Sequence, residues 1–385
     1  MCITAYSLTM ACIWTSVLVV IMYAIQKNKR TLQYFGINNL LILYGFCIIR
    51  MLVPIELPIT KTVPMEIIYN TMTRLCTTET IGSSVLIGDV ILMIWGCGTV
   101  ISLCLLIKDY RMTKQILRVC TVKKEGMAYE LLRKLQEKKR DKRKIEIYTT
   151  PYAVPMEIGI LHPAILLPDR EYQEQDLYYI MKHEYTHILN HDSTVKLLLN
   201  LWRCIFWWNP IAYLLCNNIE DTLELKCDFI VVGKSGKEEK AKYLSAILHT
   251  LQNVPNEKEQ NNLPQNINAL YKAQSKSETL KRFRSVSEYA ELTEQTNAKH
   301  QKYIAVMLVV YTMIFCVSYG FVFQSKFDPP IEEVITEENI IEIRQDNTFL
   351  REKGDRYEII YEGQCIGDVG KDSALSMQKN GFEIR

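Results

Sequence analysis

The run Tyr178-Tyr179-Ile180-Met181-Lys182-His183-Glu184-Tyr185-Thr186-His187-Ile188-Leu189-Asn190 decides how the rest of the chain is read. It sits inside a helical-looking stretch, Gln173–Asn190. His183 and His187 are four residues apart, so on a helix they leave one face a turn apart and can share one metal ion. Neutral imidazole is a good zinc ligand. Glu184 projects at an adjacent angle, where it can act on a water at the metal instead of on the metal itself. H-E-x-x-H is therefore a metalloprotease signature with a mechanism behind it. The bland alternative is an ordinary helix surface, because short patterns also arise by chance.

A second stretch shifts the balance. Glu224-Leu225-Lys226-Cys227-Asp228 follows after a helical turnaround. A zinc ion with two histidines needs a third protein ligand, which Glu224 can supply from another helix. Asp228, one turn later on the same face, can accept a hydrogen bond from a ligand histidine and fix its ring. The alternative here is a solvated acidic face shared with Glu220 and Asp221. His191 is a weaker third ligand, since the three-histidine zinc pattern would place it at position 193, which is Ser193.

The chain has 385 residues and a net charge of +2, which favours neither nucleic acid nor a strongly acidic partner. That average hides segregation. Met1–Ile25, Tyr34–Ile49, Ser83–Ile107 and Tyr303–Phe323 are long apolar runs of the kind that cross a bilayer as helices. The first lacks a basic start and a cleavage site, so it reads as a span and not as a signal peptide. Positive flanks set the expected topology. Lys27, Lys29 and Arg30 face the cytoplasm, and Lys108–Lys144, with 14 Lys/Arg against 5 Asp/Glu, does the same. The tail from Gln324 onward has 14 acidic and 8 basic residues and is expected outside. Most of the 12 cysteines then fall in spans or in the reducing cytoplasmic part, with Cys76 and Cys365 among the few outside.

The expected organisation is a mainly α membrane protein with an inserted cytoplasmic α+β domain and a small extracellular β-rich tail. Spans fall at about 3–25, 34–54 and 83–107 within residues 1–107. A metal-bearing domain follows over 108–302, then a fourth span at 303–323 and the tail at 324–385. Arg50 and Asp89, near the outer ends of their spans, are expected to snorkel to the interface. The basic run Lys138–Lys144 is expected to meet anionic lipid, not nucleic acid. Ile145–Thr150, Ala153–Ile160 and Ala164–Leu167 are short, β-leaning and separated by prolines and glycines, so a small sheet is expected just before the metal helix. Its exposed edge can hold an extended peptide. Val195–Trp208 is apolar but interrupted by Lys196 and Arg203, which argues for a helix against the sheet or at the membrane interface, not for a fifth span. In the tail, Ile340–Ile343 and Tyr357–Tyr361 alternate like strands. Tyr213, Tyr243 and His249 are candidates by residue type for stabilising an oxyanion.

Taken together, His183-Glu184-x-x-His187 with Asp192, Trp208-Asn209-Pro210, Glu224-x-x-Cys227-Asp228, and the preceding Pro155, Gly159 and Leu167-Pro168 resemble the membrane zinc metallopeptidases typified by β-lactam sensor-transducers. The resemblance covers roughly residues 1–325. It implies a zincin domain of gluzincin type, zinc held by His183, His187 and Glu224, and Glu184 as catalytic base. It also implies signalling, in which an external event activates the protease, self-cleavage follows, and a winged-helix repressor is lost. The chain departs from that family in its tail of 62 residues, where the sensors carry a penicillin-binding domain. Ser376-Met377-Gln378-Lys379 spells S-x-x-K, but so does Ser193-Thr194-Val195-Lys196, so no β-lactam binding is expected. Two alternatives use the same residues differently: a housekeeping membrane protease of the CAAX or quality-control type, and a non-enzymatic receptor or scaffold.

Overall fold

A computed structural model describes residues 4–27, 37–79, 85–123, 125–150, 155–232, 236–252, 283, 286, 298–324, 348–353, 356–361, 363–379 and 381–385. The chain divides into two compact units, Met1–Ser325 and Lys326–Arg385.

The larger unit is mainly helical. It opens with α1 (Ala5–Lys27) and α2 (Ile37–Leu52), then β1 (Lys61–Pro64), α3 (Glu66–Thr77) and the 33-residue α4 (Ile87–Val119). Two described helices are long and apolar enough to cross a membrane, Tyr6–Gln26 and Ile87–Gln115, and Ile37–Leu52 and Ile304–Val317 are shorter apolar helices. α4 does not break at Ile107 but runs on into the basic stretch as one helix. Next come β2 (Thr121–Lys123), α5 (Met127–Lys139), β3 (Glu146–Thr150), β4 (Met156–Ile158) and β5 (Ala164–Pro168). The strands form one sheet in the order β2-β3-β5-β4, with β3 and β5 parallel and both edge strands antiparallel to their neighbours. β2 is an addition to the three strands expected. Gly159 allows the tight β4–β5 turn: its φ is +85°, and a Cβ there would lie 2.3 Å from the His162 carbonyl oxygen.

Four helices then follow: α6 (Glu174–Asn190), α7 (Asp192–Ile205), α8 (Pro210–Val232) and α9 (Lys237–Gln252). Glu174 and Asp176 favour the positive end of α6, and its other end stops at His191, which takes a left-handed φ of 59°. One face of α6 packs on the sheet and α5 through Leu177, Ile180, Met181, Tyr185 and Ile188, with Leu132, Ile147 and Ile165 opposite. Full burial of each such side chain contributes about 1.5–3 kcal/mol. Tyr179 turns the other way, toward Val231, Tyr243 and Ile247. The histidine face is thereby left for α7 and α8.

α7 does not rest on the sheet as one reading of its sequence had it. Leu199 and Trp202 join a core with Leu18, Val19 and Met22 of α1 and Leu40, Leu43, Tyr44 and Cys47 of α2, which also takes in Leu215, Cys216 and Ile219 of α8. The turn after α7 also packs on α4. Trp95 Nε1 donates to the Ile205 carbonyl oxygen at 2.9 Å, and Gly98 makes room for Trp207, whose ring would lie 2.4 Å from a Cβ. Asn209 caps α8, its Oδ1 accepting from Ile211 N at 2.9 Å.

The unit closes with α10 (Ala298–Val317) and β6 (Phe321–Gln324). β6 pairs in parallel with β1, Lys61 opposite Phe321 through Pro64 opposite Gln324. The expected fourth span therefore ends as helix at Val317, and Phe321–Phe323 is strand. Arg50 corrects another expectation. It is 3% exposed, and it donates from Nε to Ser318 Oγ at 2.9 Å and from Nη2 to the Ser318 carbonyl oxygen at 3.1 Å, lying 4.3 Å from the Tyr319 ring centre. Asp89 is exposed on the first turn of α4.

The smaller unit contains β7 (Thr348–Lys353), β8 (Arg356–Tyr361), β9 (Gln364–Val369), α11 (Lys371–Lys379) and β10 (Glu383–Ile384), with sheet order β10-β7-β8-β9. The expected strand at Ile340–Ile343 lies outside the described residues. Cys76 and Cys365 are free thiols.

Candidate metal centre

His183 and His187 lie one turn apart on α6, and α8 crosses that face carrying Glu224. The imidazole Nε2 atoms face each other at 3.0 Å. Glu224 Oε2 lies 3.6 Å from the first and 3.5 Å from the second. Both histidines are buried, at 4% and 3% exposure. The three residues proposed as ligands from sequence thus converge, with their donor atoms inside a sphere fit for one ion.

The far nitrogens explain the arrangement. His183 Nδ1 lies 3.2 Å from Asp228 Oδ1, and His187 Nδ1 lies 2.7 Å from Asp192 Oδ2. A carboxylate beside Nδ1 makes that nitrogen the N–H donor, so the Nε2 atoms, the remaining ring positions, are turned toward one place. Two lone pairs at that separation repel unless a proton or a cation stands between them. A divalent ion of the zinc type suits two imidazoles and a carboxylate. His187 reflects the same demand. Burial works against its charge, but the Glu224 carboxylate and the Asp192 hydrogen bond outweigh burial and hold its pKa well above the ordinary imidazole value. For Glu224, burial acts upward, yet the charges of His187 and Lys196 hold it well below the usual carboxylate range.

Asp228 stands where the sequence placed it, behind a histidine on the face of α8 one turn beyond Glu224. It is fully buried and also accepts from the Tyr243 hydroxyl on α9. That hydroxyl lies 3.2 Å from His183 Nδ1, on the opposite side of the ring from Nε2, so Tyr243 steadies the ring and does not face a reacting carbonyl. His249 pairs with Asp176 at 2.7 Å, and Tyr213 lies exposed on the first turn of α8. None of the three oxyanion candidates stands among the donor atoms. Glu184 is buried at 5% exposure directly after His183. His191 is the αL residue joining α6 to α7 and is not in the donor cluster.

Three contacts were not read from sequence. Asp192 reaches His187 because α7 begins after a single left-handed residue; its place after the H-E-x-x-H helix was the available signal. Cys227 packs its Sγ 3.3 Å from His187 Nδ1 and 3.2 Å from Asp192 Oδ2. Glu157, on the edge strand β4, accepts from Ser193 Oγ at 2.6 and 2.7 Å, and burial pushes its carboxyl above the usual range. A cavity of about 210 Å³ beside His187 is lined by Glu157, Ser193 and the Gly159–Pro163 turn.

A buried two-histidine, one-glutamate set on crossed helices, with a glutamate inside the histidine pair and an edge strand alongside, defines the class: a helix-borne cluster whose donor atoms could hold one metal ion. Family comparison narrows the class. Residues 6–286 match the family described as BlaR1 peptidase M56, and the chain belongs to that family. Relatives include the methicillin resistance mecR1 protein of Staphylococcus aureus, 28% identical over 163 residues, 41% of this chain and 28% of the relative. The regulatory protein BlaR1 of Bacillus licheniformis is 27% identical over 96 residues, 24% of this chain and 16% of the relative, and that of Staphylococcus aureus is 29% identical over 94 residues with the same coverage. The chain thus matches less than a third of these relatives' length.

Proposed function

We propose that the chain is a zinc-dependent endopeptidase of a four-span membrane protein, which cuts its protein substrate on the cytoplasmic side in response to an outside event. The observation that carries this reading is the convergence of His183, His187 and Glu224, each imidazole backed by its own carboxylate. Zinc, when bound there, supplies Lewis acidity that activates water and polarises the scissile carbonyl. Glu184 then acts as the general base, taking the proton of the attacking water and delivering it to the leaving amine, work typically worth about 10²–10⁴-fold. Asp192 and Asp228 hold the imidazoles in the tautomer that leaves Nε2 unprotonated. β4, an edge strand of the sheet among the described residues, pairs with an extended peptide beside the site.

Helix geometry supports a site near the inner membrane boundary. The α7–α8 turn meets α4 at Trp95 and Gly98, the latter about 16 Å from the start of that helix, near the middle of a bilayer core about 30 Å thick. Glu224 lies about 22 Å back along α8 from Asn209. That distance carries the donors out of the hydrocarbon on the side of the basic stretch, whose lysines and arginines meet anionic lipid. The pairing of β1 with β6 brings the loop after the second span to the end of the fourth, as an outside position for both requires. The family resemblance, to which the relatives' names in methicillin resistance and regulation are congenial, makes a winged-helix repressor or the chain itself the substrate of this proposal.

The test compares full-length protein with its Glu184→Gln variant, in cells and purified. Equal zinc content, with cut cellular proteins and self-cleavage found only for the wild type, is the expected result. Cleavage by the variant at the wild-type rate would overturn the assignment.

A further inference from the structure

Glu224 has two oxygens, and the structure gives them different neighbours. Oε2 faces the paired imidazoles at 3.5 and 3.6 Å, whereas Oε1 accepts from Lys196 Nζ at 3.2 Å. Lys196 stands one turn beyond Asp192 on α7, so a single face of that helix carries the residue that holds His187 and the residue that holds Glu224. α8 repeats the device with Glu224 and Asp228 one turn apart. Each of the three donors thus has a charged orienting partner: Asp228 for His183, Asp192 for His187, Lys196 for Glu224.

We propose that Lys196 is a positioning residue, engaging Oε1 so that Glu224 meets a metal ion through Oε2 alone. A carboxylate can bind a cation through one oxygen or both, and a compact ammonium on one oxygen settles the choice. Lys196 is half-buried, with a side chain 36% exposed, so the pair is not a fully solvated surface bridge of negligible consequence. The same helix pair provides an internal control. Arg203 of α7 bonds Glu220 of α8 at 2.8 Å, one turn before Glu224, without touching a donor.

This inference rests on the metal-centre reading, and the experiment separates the two. Full-length protein in detergent is loaded with Co²⁺, whose visible bands weaken as coordination rises above four. Lys196→Met is expected to weaken and shift the bands as the freed carboxylate takes up the ion with both oxygens. Lys196→Arg should keep the wild-type spectrum, and Arg203→Met should keep it while lowering thermal stability. A Lys196→Met spectrum identical to wild type would overturn the proposal, as would an equal change in Arg203→Met. Wild-type protein that takes up no Co²⁺, or His183→Ala protein that takes up as much, would instead overturn the metal centre itself.

Discussion

The buried charges around His183 and His187 and the one at Arg50 are built in opposite ways. Around His183 and His187 the neighbours are themselves ionisable: Asp192, Asp228, Glu224, Lys196 and Glu157. Around Arg50 they are neutral: a serine hydroxyl, a main-chain carbonyl and the face of Tyr319. Guanidinium stays charged at any ordinary pH, so dipoles and a ring face fixed in the fold can serve it permanently. The histidine cluster is different, because its inward lone pairs ask for a cation that the chain supplies only as a proton. One group ties helices together; the other, in the function proposed above, takes an exchangeable guest.

Substitutions that break this contrast should have very unequal effects. The largest is expected for Glu224→Ala, which removes a donor outright. Its zinc affinity, read by chelator competition, should fall by more than the roughly 10–100-fold typical of changes behind a ligand. Glu184→Gln should lower the rate of peptide cleavage by about 10²–10⁴-fold while zinc content is unchanged. Asp192→Asn leaves every donor in place but no longer fixes the His187 ring, so a loss of about 10–100-fold in zinc affinity is expected. Retention of wild-type affinity in Asp192→Asn would show that the ring needs no such partner.

What the sequence disclosed and what it hid follow from the range of the interactions. His183 and His187 could be paired because a spacing of four on a helix is a local fact, and Glu224 with Asp228 repeats that spacing. The sheet was legible from its prolines and glycines, except for β2, which is three residues long and marked by nothing in its own composition. Asp192 escaped because its aim depends on one left-handed residue, His191, where a glycine or asparagine is the usual marker. Lys196 and Arg203 were seen as interruptions of an apolar run, yet each faces a glutamate on α8 that only the helix crossing brings near. Arg50 was misplaced for a related reason. Counting residues along a span gives depth but not neighbours, and here the end of α10 folds over the guanidinium. Phe321–Phe323 looked like the last turn of a helix because a strand between apolar neighbours has no hydropathy signal of its own.

Arg50→Leu tests the other side of the contrast. Loss of hydrogen bonds from a charged group to Ser318 is expected to cost about 1–3 kcal/mol, read as a lowered midpoint of thermal unfolding in detergent. Zinc affinity should not change. A variant that lost zinc without losing stability would mean that the two groups are coupled through α2 and α8, and the contrast would fail.

The smallest effect expected is one of pH on metal-free protein. His187 has its pKa raised by Glu224 and Asp192 against the opposing effect of burial, so its pairing stabilises the fold fully below the ordinary value of 6.5 and is lost as pH rises through the higher folded value. Glu224, depressed by His187 and Lys196, contributes above its ordinary 4.5 and loses that contribution as pH falls through its lower folded value. Both describe one interaction, so metal-free protein should be most stable between those limits and should weaken on the alkaline side. Zinc held by His183, His187 and Glu224 would remove the alkaline loss, because it would compete with the His187 proton for the ring, and its binding near neutrality should release that proton to the buffer. Thermal midpoints measured from pH 6 to 9 with and without zinc would check this. Parallel curves for the two forms would mean that the proton and the ion do not compete for the same place.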